Sequence, residues 1–259
     1  MGKPFHQFRL LRTGEHTAYY NMGLDQAILE SVARGEMPPT LRFYGWKPAA
    51  VSIGYFQGLE EEIEIDRCRA NGIDIVRRIT GGGAVFHQHE VTYSIVMKDT
   101  HPLAEKTILE SYRKLCSGII AGLSVLGVES VFSPINDIAS NGKKISGNAQ
   151  TRKMGCILQH GTILLDTDLG LMFDILKIPQ EKNRTRLMAD AKERVTSLSA
   201  ILGRNVFFDE VEDALINGFR DALGLEYVPH DSPGRDEEAR AEELGKNHFA
   251  SPEWIRRRL

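Results

Sequence analysis

The residues best suited to chemistry lie between Arg77 and His87, where the sequence reads RRITGGGAVFH. Three consecutive glycines cost conformational entropy on folding, so a folded protein needs a reason to keep them. Close approach of the backbone to a ligand is one such reason, because successive N–H groups can form a concave anion cradle. Arg77 and Arg78 carry permanent charges suited to phosphate or carboxylate, but on a strand only one of them faces the cradle. The segment therefore predicts an anion-binding loop.

Two familiar phosphate loops do not match this segment. No Gly-Lys-Ser/Thr follows the glycines, as a P-loop requires. A dinucleotide-binding fingerprint needs a helix after the glycines, whereas the strand-like Ala84–Phe86 follows here. A glycine-rich hairpin with two solvated arginines is the open structural alternative.

A lysine near the start of a predicted strand is the second candidate. Asn141-Gly142 is a strong turn signal, so Lys144 lies where the strand begins. Strand alternation predicts two sets of residues on opposite faces: Lys144, Ser146 and Asn148 on one, and Ile145 and Gly147 on the other. Small residues beside Lys144 would leave room for a bulky ligand. The alternative is a solvated turn lysine, as most lysines are.

His160 and Gly161 interrupt an otherwise apolar strand at 158–165. The imidazole could donate to a ligand, and a satisfied core histidine is equally open. Gly161 weakens a strand, which indicates close approach of another group.

Helical spacing of apolar residues, closed in several cases by a glycine, predicts the main helices. They span about 20–34, 59–71, 106–126, 209–224 and 234–245. Alternating segments predict strands at 8–14, 41–46, 50–56, 73–79, 91–97, 143–150 and 156–165.

Short connections between these strands predict antiparallel pairing. Residues 47–49 would form a hairpin turn, the glycine loop would join 73–79 to 91–97, and residues 151–153 would form a third turn. Strand pairs with helices between them predict an α+β fold with a mixed, largely antiparallel sheet packed with helices. We expect one domain over residues 1–259, with a helical C-terminal segment from about 206–259.

Composition excludes several classes of protein. The chain is 42% hydrophobic with a formal net charge of -3, which gives no basic surface for nucleic acid. No apolar run approaches the length of a membrane span, and the N-terminus lacks a signal-peptide core. The three cysteines lie far apart, so neither a protein-derived metal motif nor a disulfide framework is expected, and we expect a cytoplasmic protein.

Five segments together resemble the lipoate–protein ligase A branch of the superfamily of biotin/lipoate ligases and octanoyltransferases. They are LRFYGWKPAAVSIGYFQ (41–57), RRITGGGAVFH (77–87), TYSIV (92–96), GKKISGNAQ (142–150) and HGTILL (160–165). They occur in the family's order and at its spacing, and the resemblance runs from about Tyr20 to Leu165, continuing weakly beyond. It implies the biotin/lipoate ligase catalytic-domain fold.

The resemblance also implies roles for individual residues. Lys144 matches the family's essential lysine, and Asn136-Asp137 matches a position near the nucleotide. The nucleotide part of lipoyl-AMP would be bound by Arg78 and by the loop residues Gly81, Gly82, Gly83, Ala84, Val85 and Phe86. Beside these, the residue types make Ser146, Gly147, His160 and Gly161 candidates for the substrate pocket, and apolar residues of the sheet would line the tunnel for the lipoyl chain.

A ligase of this kind would use ATP, Mg²⁺ and lipoate. A lipoate carboxylate would attack the α-phosphorus of Mg-ATP, and a lysine of an acceptor domain would then take the lipoyl group from lipoyl-AMP. Expected acceptors are the E2 subunits of 2-oxo acid dehydrogenases, glycine-cleavage H protein or another lipoyl carrier. Neither nucleic acid nor a membrane is an expected partner.

The closest alternative is an octanoyltransferase that moves octanoyl from acyl carrier protein through a cysteine thioester. A subgroup of these resembles the chain but carries its cysteine upstream of the lysine motif, where residues 127–137 here contain none. Cys156 lies downstream in an apolar strand, and a small buried hydrophobe is the expected role for it, as for Cys68 and Cys116. A non-catalytic acyl- or nucleotide-binding protein is a further alternative.

Two departures from the family pattern affect the expectation. His87 is followed by Gln88 rather than by the aspartate common in the family, so His87 receives no catalytic role. The chain is also too short to include the C-terminal accessory domain of the longest ligases. We therefore expect it to transfer from preformed lipoyl-AMP and to need a separate accessory protein for efficient adenylation.

Overall fold

The computed structural model describes residues 6–177, 193–230 and 232–257. The strands are β1 (His6–His16), β2 (Thr40–Trp46), β3 (Ala50–Ile53), β4 (Asp74–Arg77), β5 (Val85–His87), β6 (Glu90–Lys98), β7 (Val131–Ser133), β8 (Asp137–Ser140), β9 (Lys143–Lys153), β10 (Cys156–Leu164) and β11 (Leu225–Pro229). The helices of the described residues are α1 (Ala18–Arg34), α2 (Leu59–Glu62), α3 (Ile65–Ala70), α4 (Ile108–Val125), α5 (Leu169–Ile175), α6 (Leu198–Leu202), α7 (Phe208–Leu223), α8 (Arg235–Leu244) and α9 (Pro252–Ile255), with a π-helical turn at Gly245–Phe249.

A large mixed sheet organises the molecule, and it confirms the predicted α+β class. Its strand order is β11-β1-β2-β6-β10-β9-β8-β7. Strand β1 pairs in parallel with both β11 and β2, and the remaining neighbours are antiparallel. Strand β11 was not predicted, and it adds a strand to the C-terminal segment that was expected to be helical.

Strands β3, β4 and β5 form a separate small sheet, which makes two of the predicted strand pairs wrong. Strand β3 pairs with β4 in parallel and with β5 antiparallel, so the hairpin expected across residues 47–49 does not exist. Strand β2 already lies between β1 and β6 and has no free edge for β3. Likewise β4 and β6, expected to pair across the glycine loop, belong to different sheets. The small sheet packs its own apolar cluster, which includes Val51, Ile53 and Phe86.

Most helix predictions are confirmed, but the helix expected over 59–71 breaks into α2 and α3. Ile63 separates them in an extended conformation, where it is buried and bridges to Leu176. Burial of this side chain offsets the lost helical turn. The hairpin of β9 and β10 is confirmed, although it turns at residues 154–155 and not at 151–153, because Thr151–Lys153 still pair with β10.

Two apolar cores cover opposite faces of the large sheet. On one face α4 and α7 bury side chains such as Leu115, Ile119 and Phe219. On the other face α1 packs with α8 and with the π-helical turn at Gly245–Phe249. The small sheet lies over the remainder of this second face. No helix among the described residues is long and apolar enough to cross a membrane.

Candidate active site

A pocket opens between the second face of the large sheet and the small sheet. Strands β2, β6, β9 and β10 supply its floor, while β3, β5 and the glycine loop supply its roof. The lining residues are Met22, Tyr44, Trp46, Ser52, Arg78, Gly82, Gly83, Ala84, Val85, His87, Thr92, Asn136, Lys144, Gly147, Asn148, Ala149, His160, Gly161 and Thr162.

The glycine loop forms part of the roof, and two glycines are required for its shape. Gly82 has a φ of 94°, and a Cβ there would lie 2.9 Å from Nη2 of Arg78. A Cβ on Gly54 would lie 2.0 Å from the Gly82 carbonyl oxygen, so the loop rests directly on the β3 end. Around Gly83, by contrast, nothing lies within 4 Å of a Cβ position. The loop therefore has no room for a side chain at Gly82, whereas there is free space beside the Cα of Gly83.

Arg78 holds the loop in place with all five of its guanidinium N–H groups. Nε donates to Thr80 Oγ1 (3.1 Å), Nη1 to the carbonyl and hydroxyl oxygens of Ser52 (3.0 and 3.1 Å), and Nη2 to the Gly81 and Gly83 carbonyls (2.7 Å each). No carboxylate of the described residues pairs with it, and burial lowers the pKa of Arg78 to about 10. The pocket is therefore lined by a buried cation that has neutral hydrogen-bond partners.

Arg77 points to the opposite side, as strand alternation predicts. Its guanidinium donates to the carbonyls of residues 54, 55 and 57 and to those of Trp254 and Ile255. The Trp254 indole donates back to the Arg77 carbonyl at 2.8 Å. Both arginines are buried, which makes the alternative of two solvated arginines wrong.

His160 lies on the pocket floor in a fixed orientation. Its Nδ1 lies 3.1 Å from Asp25 Oδ2, and its Nε2 lies 2.8 Å from Thr80 Oγ1. Burial would raise the pKa of Asp25, but hydrogen bonding from His160 and the charge of Arg42 hold it below its ordinary value. Burial lowers the pKa of His160 despite Asp25. A neutral imidazole that donates from Nδ1 fits these contacts.

His87, which had received no role, lies at the centre of a second chain of hydrogen bonds. Its ring stacks on Trp46 with centroids 3.9 Å apart. Its Nε2 lies 2.8 Å from Ser52 Oγ, and its Nδ1 lies 2.7 Å from Glu90 Oε1. Thr92 donates to the same Glu90 oxygen at 2.6 Å and accepts from Trp46 Nε1 at 2.7 Å.

Lys144 reaches the pocket because of a β-bulge. The pairing of β8 with β9 shifts between Ile138–Ser146 and Ala139–Lys144, so Ile145 is an extra residue. The bulge turns Ile145 into the core and brings Lys144 to the face of Gly147, where a Cβ would lie 2.9 Å from Lys144 Nζ. The expectation that Lys144 shares a face with Ser146 and Asn148 is therefore wrong.

Among the residues that the structure describes, one carboxylate pairs with the lysine. Lys144 Nζ lies 2.7 Å from Asp137 Oδ1, and the two side chains are 44% and 32% exposed. Asn148 fixes the preceding segment, because its side chain and backbone N–H both donate to the Asn136 carbonyl at 2.8 and 3.0 Å while Asn136 donates in return. The lysine is thus oriented but still accessible.

Ten of the residues predicted from sequence line this pocket: Arg78, Gly82, Gly83, Ala84, Val85, Asn136, Lys144, Gly147, His160 and Gly161. Four others do not line it. Gly81 accepts from Arg78, Asp137 pairs with Lys144, Phe86 packs in the small-sheet core, and Ser146 is fully buried.

Sequence reasoning missed several lining residues, among them Tyr44, Trp46, Ser52 and Thr92. The first three lie in the 41–57 segment that carries the resemblance, which was the available signal. The large sheet supplies aromatic, histidine and hydroxyl side chains to this pocket. The expectation that apolar residues of the sheet line a tunnel for the lipoyl chain stays a prediction.

None of the three cysteines lines the pocket. All three are buried, and burial raises the pKa of Cys68 to about 11, that of Cys116 to about 12 and that of Cys156 above its ordinary value. A thiolate nucleophile needs a lowered pKa and access, and these thiols have neither. Among the described residues, no group of three or more His, Cys, Asp or Glu side chains is arranged to hold a metal ion.

The sequence profile described as "Lipoyl protein ligase A/B catalytic domain" matches residues 17–220, which include every pocket-lining residue. The chain belongs to this family. Relatives named octanoyltransferase LipM are 41% identical in Symbiobacterium thermophilum, over 97% of this chain and 98% of theirs, and 37% identical in Geobacillus kaustophilus, over 95% and 97%.

Two solved structures similar to this chain are lipoate–protein ligases. One is a bipartite lipoate protein ligase, reported with its E2 lipoyl domain, from Thermoplasma acidophilum, with a TM-score of 0.86, 33% identity and 96% coverage of each chain. Another is a lipoate-protein ligase A bound with ATP, with a TM-score of 0.82 and 32% identity over 96% of this chain and 98% of that one. These similarities confirm the predicted biotin/lipoate ligase catalytic fold. They also confirm that the chain belongs to a family of enzymes that transfer lipoyl or octanoyl groups.

Proposed function

We propose that the chain is a lipoate–protein ligase that holds lipoyl-AMP and transfers its acyl group to a lysine of an acceptor domain. The observation that carries the proposal is a pocket whose lining, among the described residues, includes the cations Arg78 and Lys144 and no cysteine. Such a pocket can stabilise a mixed anhydride of a carboxylate and a phosphate. It has no thiol to carry the acyl group as a thioester.

Lys144 is proposed to bridge the lipoate carboxylate and the α-phosphate. In the first step a carboxylate oxygen bonds to the α-phosphorus of ATP, and the bond to the leaving pyrophosphate breaks. Magnesium is proposed to enter with the ATP phosphates. Lys144 and the loop N–H groups would offset the charge that builds on the transferring phosphoryl group. Asp137, 2.7 Å from Nζ, keeps the ammonium directed at the pocket.

In the second step an acceptor lysine amine attacks the acyl carbonyl carbon and AMP leaves. The carbonyl–nitrogen bond replaces the carbonyl–oxygen bond of the anhydride and the amine passes a proton to solvent, so no protein nucleophile is needed. Half-exposure of Lys144 supports entry of an acceptor lysine at this end of the pocket. We propose lipoyl-acceptor domains as the partners, by analogy with the E2 lipoyl domain reported with the Thermoplasma acidophilum ligase.

The second candidate is octanoyl transfer from acyl carrier protein. The names of the relatives favour it over the ligase, since those at 37% and 41% identity are octanoyltransferases. A cysteine thioester would require one of three thiols that lie outside the pocket with raised pKa values. The ligase is proposed first because no thiol lines the pocket, even though the names of the relatives favour octanoyl transfer.

Adenylation is proposed to need a separate accessory protein. The similarity to one chain of a bipartite ligase supports this division. The purified chain alone would then modify an acceptor from preformed lipoyl-AMP far faster than from ATP and lipoate.

The experiment is mass spectrometry of a lipoyl domain after incubation with the purified chain. One reaction contains ATP, Mg²⁺ and lipoate, a second omits ATP, and a third supplies octanoyl carrier protein without ATP. The proposal expects ATP-dependent lipoylation, slow without an accessory protein, and no product in the other two. Octanoylation in the third reaction would reverse the order of the candidates.

A further inference from the structure

Arg78 is the origin of two similar chains of buried hydrogen bonds. One runs through Ser52 and His87 to Glu90, and the other through Thr80 and His160 to Asp25. Both follow the order hydroxyl, imidazole, carboxylate. Because the hydroxyl oxygen accepts from Arg78 in each chain, both are arranged to support this guanidinium and not to activate a nucleophile.

The direction of the first chain follows from the chemistry of Arg78, which can only donate. Since Ser52 Oγ accepts from Nη1 at 3.1 Å, its own proton is free for His87 Nε2 at 2.8 Å. The imidazole then carries its proton on Nδ1, which donates to Glu90 Oε1 at 2.7 Å. Glu90 is therefore the terminal acceptor that sets the tautomer of His87.

We propose that Glu90 is a positioning residue for the glycine loop, acting through His87 and Ser52 on Arg78. Glu90 does not line this pocket and reaches it only through His87, so its proposed action on the bound ligand is indirect. Without this acceptor, His87 has no fixed tautomer and Ser52 no fixed hydroxyl direction. The guanidinium that holds the Gly81 and Gly83 carbonyls then loses one of its supports.

The two carboxylate oxygens of Glu90 differ in their contacts, so the role of its hydrogen bonds can be tested apart from the role of its charge. Its side chain is 1% exposed, yet Oε1 accepts from both His87 and Thr92 while Oε2 has no hydrogen-bond partner among the described residues. One oxygen therefore does the positioning. A neutral amide oxygen in the same place can replace it.

The test compares two conservative variants of Glu90. Glu90→Gln keeps the reach and the acceptor oxygen but loses the charge, whereas Glu90→Asp keeps the charge but is one methylene too short to reach His87. The probe is a hydrolysis-resistant acyl sulfamate analogue of lipoyl-AMP, with its Kd measured by calorimetry. Hydrogen exchange of the peptide spanning residues 78–86 reports order in the loop.

The expected result is a Kd raised roughly 10-fold in Glu90→Asp, the effect of losing one buried hydrogen bond of about 1.4 kcal/mol, together with faster exchange in the loop. Glu90→Gln should bind within about threefold of wild type, even if its unpaired amide lowers the Tm. Equal binding and exchange in Glu90→Asp and wild type would overturn the proposal. Weaker binding in Glu90→Gln than in Glu90→Asp would assign the effect to charge and overturn it too.

Glu237→Gln is the matched control. This carboxylate is as buried as Glu90 and pairs with Arg9 at 2.6 Å away from the pocket. Its loss should lower the Tm and leave the Kd of the analogue unchanged. The inference rests on the proposed adenylate-binding function. Binding of the analogue to wild-type protein shows whether a negative result refutes that function or only the role of Glu90. Failure of the wild type to bind the analogue refutes the proposed function, whereas normal binding with no effect of Glu90→Asp refutes only the positioning role.

Discussion

The two ends of the pocket are built by different means. At the glycine loop, Arg78 is 4% exposed and every N–H of its guanidinium has a partner. At the other end, Lys144 is 44% exposed and one ion pair to Asp137 orients it. The loop end is organised before a ligand arrives, while the lysine end is able to move with the reacting groups. We propose from this difference that Arg78 acts mainly by holding the loop and Lys144 mainly by contacting the reacting groups.

Lys144→Ala tests the chemical end and has the largest expected effect. Transfer from lipoyl-AMP should fall about 10²–10³-fold, the cost of removing one group that stabilises charge at the transition state. The Tm should stay within error because the side chain is half-exposed. Lys143→Ala, one residue away and outside the pocket lining, should retain activity. Single-turnover rates measured by mass spectrometry would contradict the account if Lys144→Ala were as active as Lys143→Ala.

Arg78→Met tests the structural end. The change leaves the Ser52, Gly81 and Gly83 carbonyls without their buried donor, so the free energy of unfolding should fall by roughly 2–4 kcal/mol. Urea denaturation provides the measurement. A variant with wild-type stability but no binding would show that Arg78 is a ligand contact and not a loop support.

The histidine on the pocket floor makes the loop end sensitive to acid. The pKa of His160 in the folded state lies below its ordinary value of 6.5, chiefly because of burial, so the unfolded chain takes up the proton first as pH falls. Stability is therefore lost as pH drops below about 6.5. Asp25, with a pKa held below 3.8 by His160 and Arg42 against the effect of burial, adds a further loss below that value.

Urea denaturation of wild type and His160→Asn at pH 7.5 and 5.5 measures this effect. The variant should lose less stability between the two pH values than the wild type. Because burial also lowers the pKa of His101, to about 4, His101→Asn serves as a comparison outside the pocket. An equal loss in wild type and His160→Asn would mean that the imidazole is not buried in its neutral form.

Asp137→Asn should have a small effect at the lysine end. Exposed ion pairs of this kind contribute about 0.2–1 kcal/mol, so the transfer rate should fall roughly two- to fivefold with no change in Tm. Steady-state rates at low and high salt would show the interaction weakening with ionic strength. A loss as large as that of Lys144→Ala would give Asp137 a direct part in the reaction.

The smallest effect is expected from Cys156→Ser, because Cys156 lies outside the pocket and its pKa is raised by burial. Lipoyl transfer should keep the wild-type rate. Loss of acyl transfer in this variant, with the protein still folded, would favour a thioester route.

The loop end was the easier of the two to predict from sequence. Three glycines shortly after two arginines are unusual at any position, and alternation along the predicted strand 73–79 correctly placed Arg77 and Arg78 on opposite sides. The lysine end depended on the bulge at Ile145, because this extra residue changes the face of β9 on which Lys144 lies. No local sequence pattern predicts such a bulge.

Long-range pairing explains the other differences. The class of fold followed from the order of strands and helices, but the small sheet did not, because β2 and β3 are neighbours in sequence and belong to different sheets. The same separation hid the Glu90–His87–Ser52 chain, whose members come from β6, β5 and β3. Hydrogen bonds that cross between elements leave no periodic signal in a sequence.

We propose that this pocket transfers an acyl group from an adenylate and not from a thioester. The most direct measurement is the mass of a lipoyl domain after mixing with the purified chain and preformed lipoyl-AMP, beside a reaction that contains octanoyl carrier protein instead. We expect a lipoylated domain from lipoyl-AMP, formed about 10²–10³-fold more slowly by Lys144→Ala and at the wild-type rate by Cys156→Ser. An unmodified domain with lipoyl-AMP, together with an octanoylated one from the carrier protein, would contradict it.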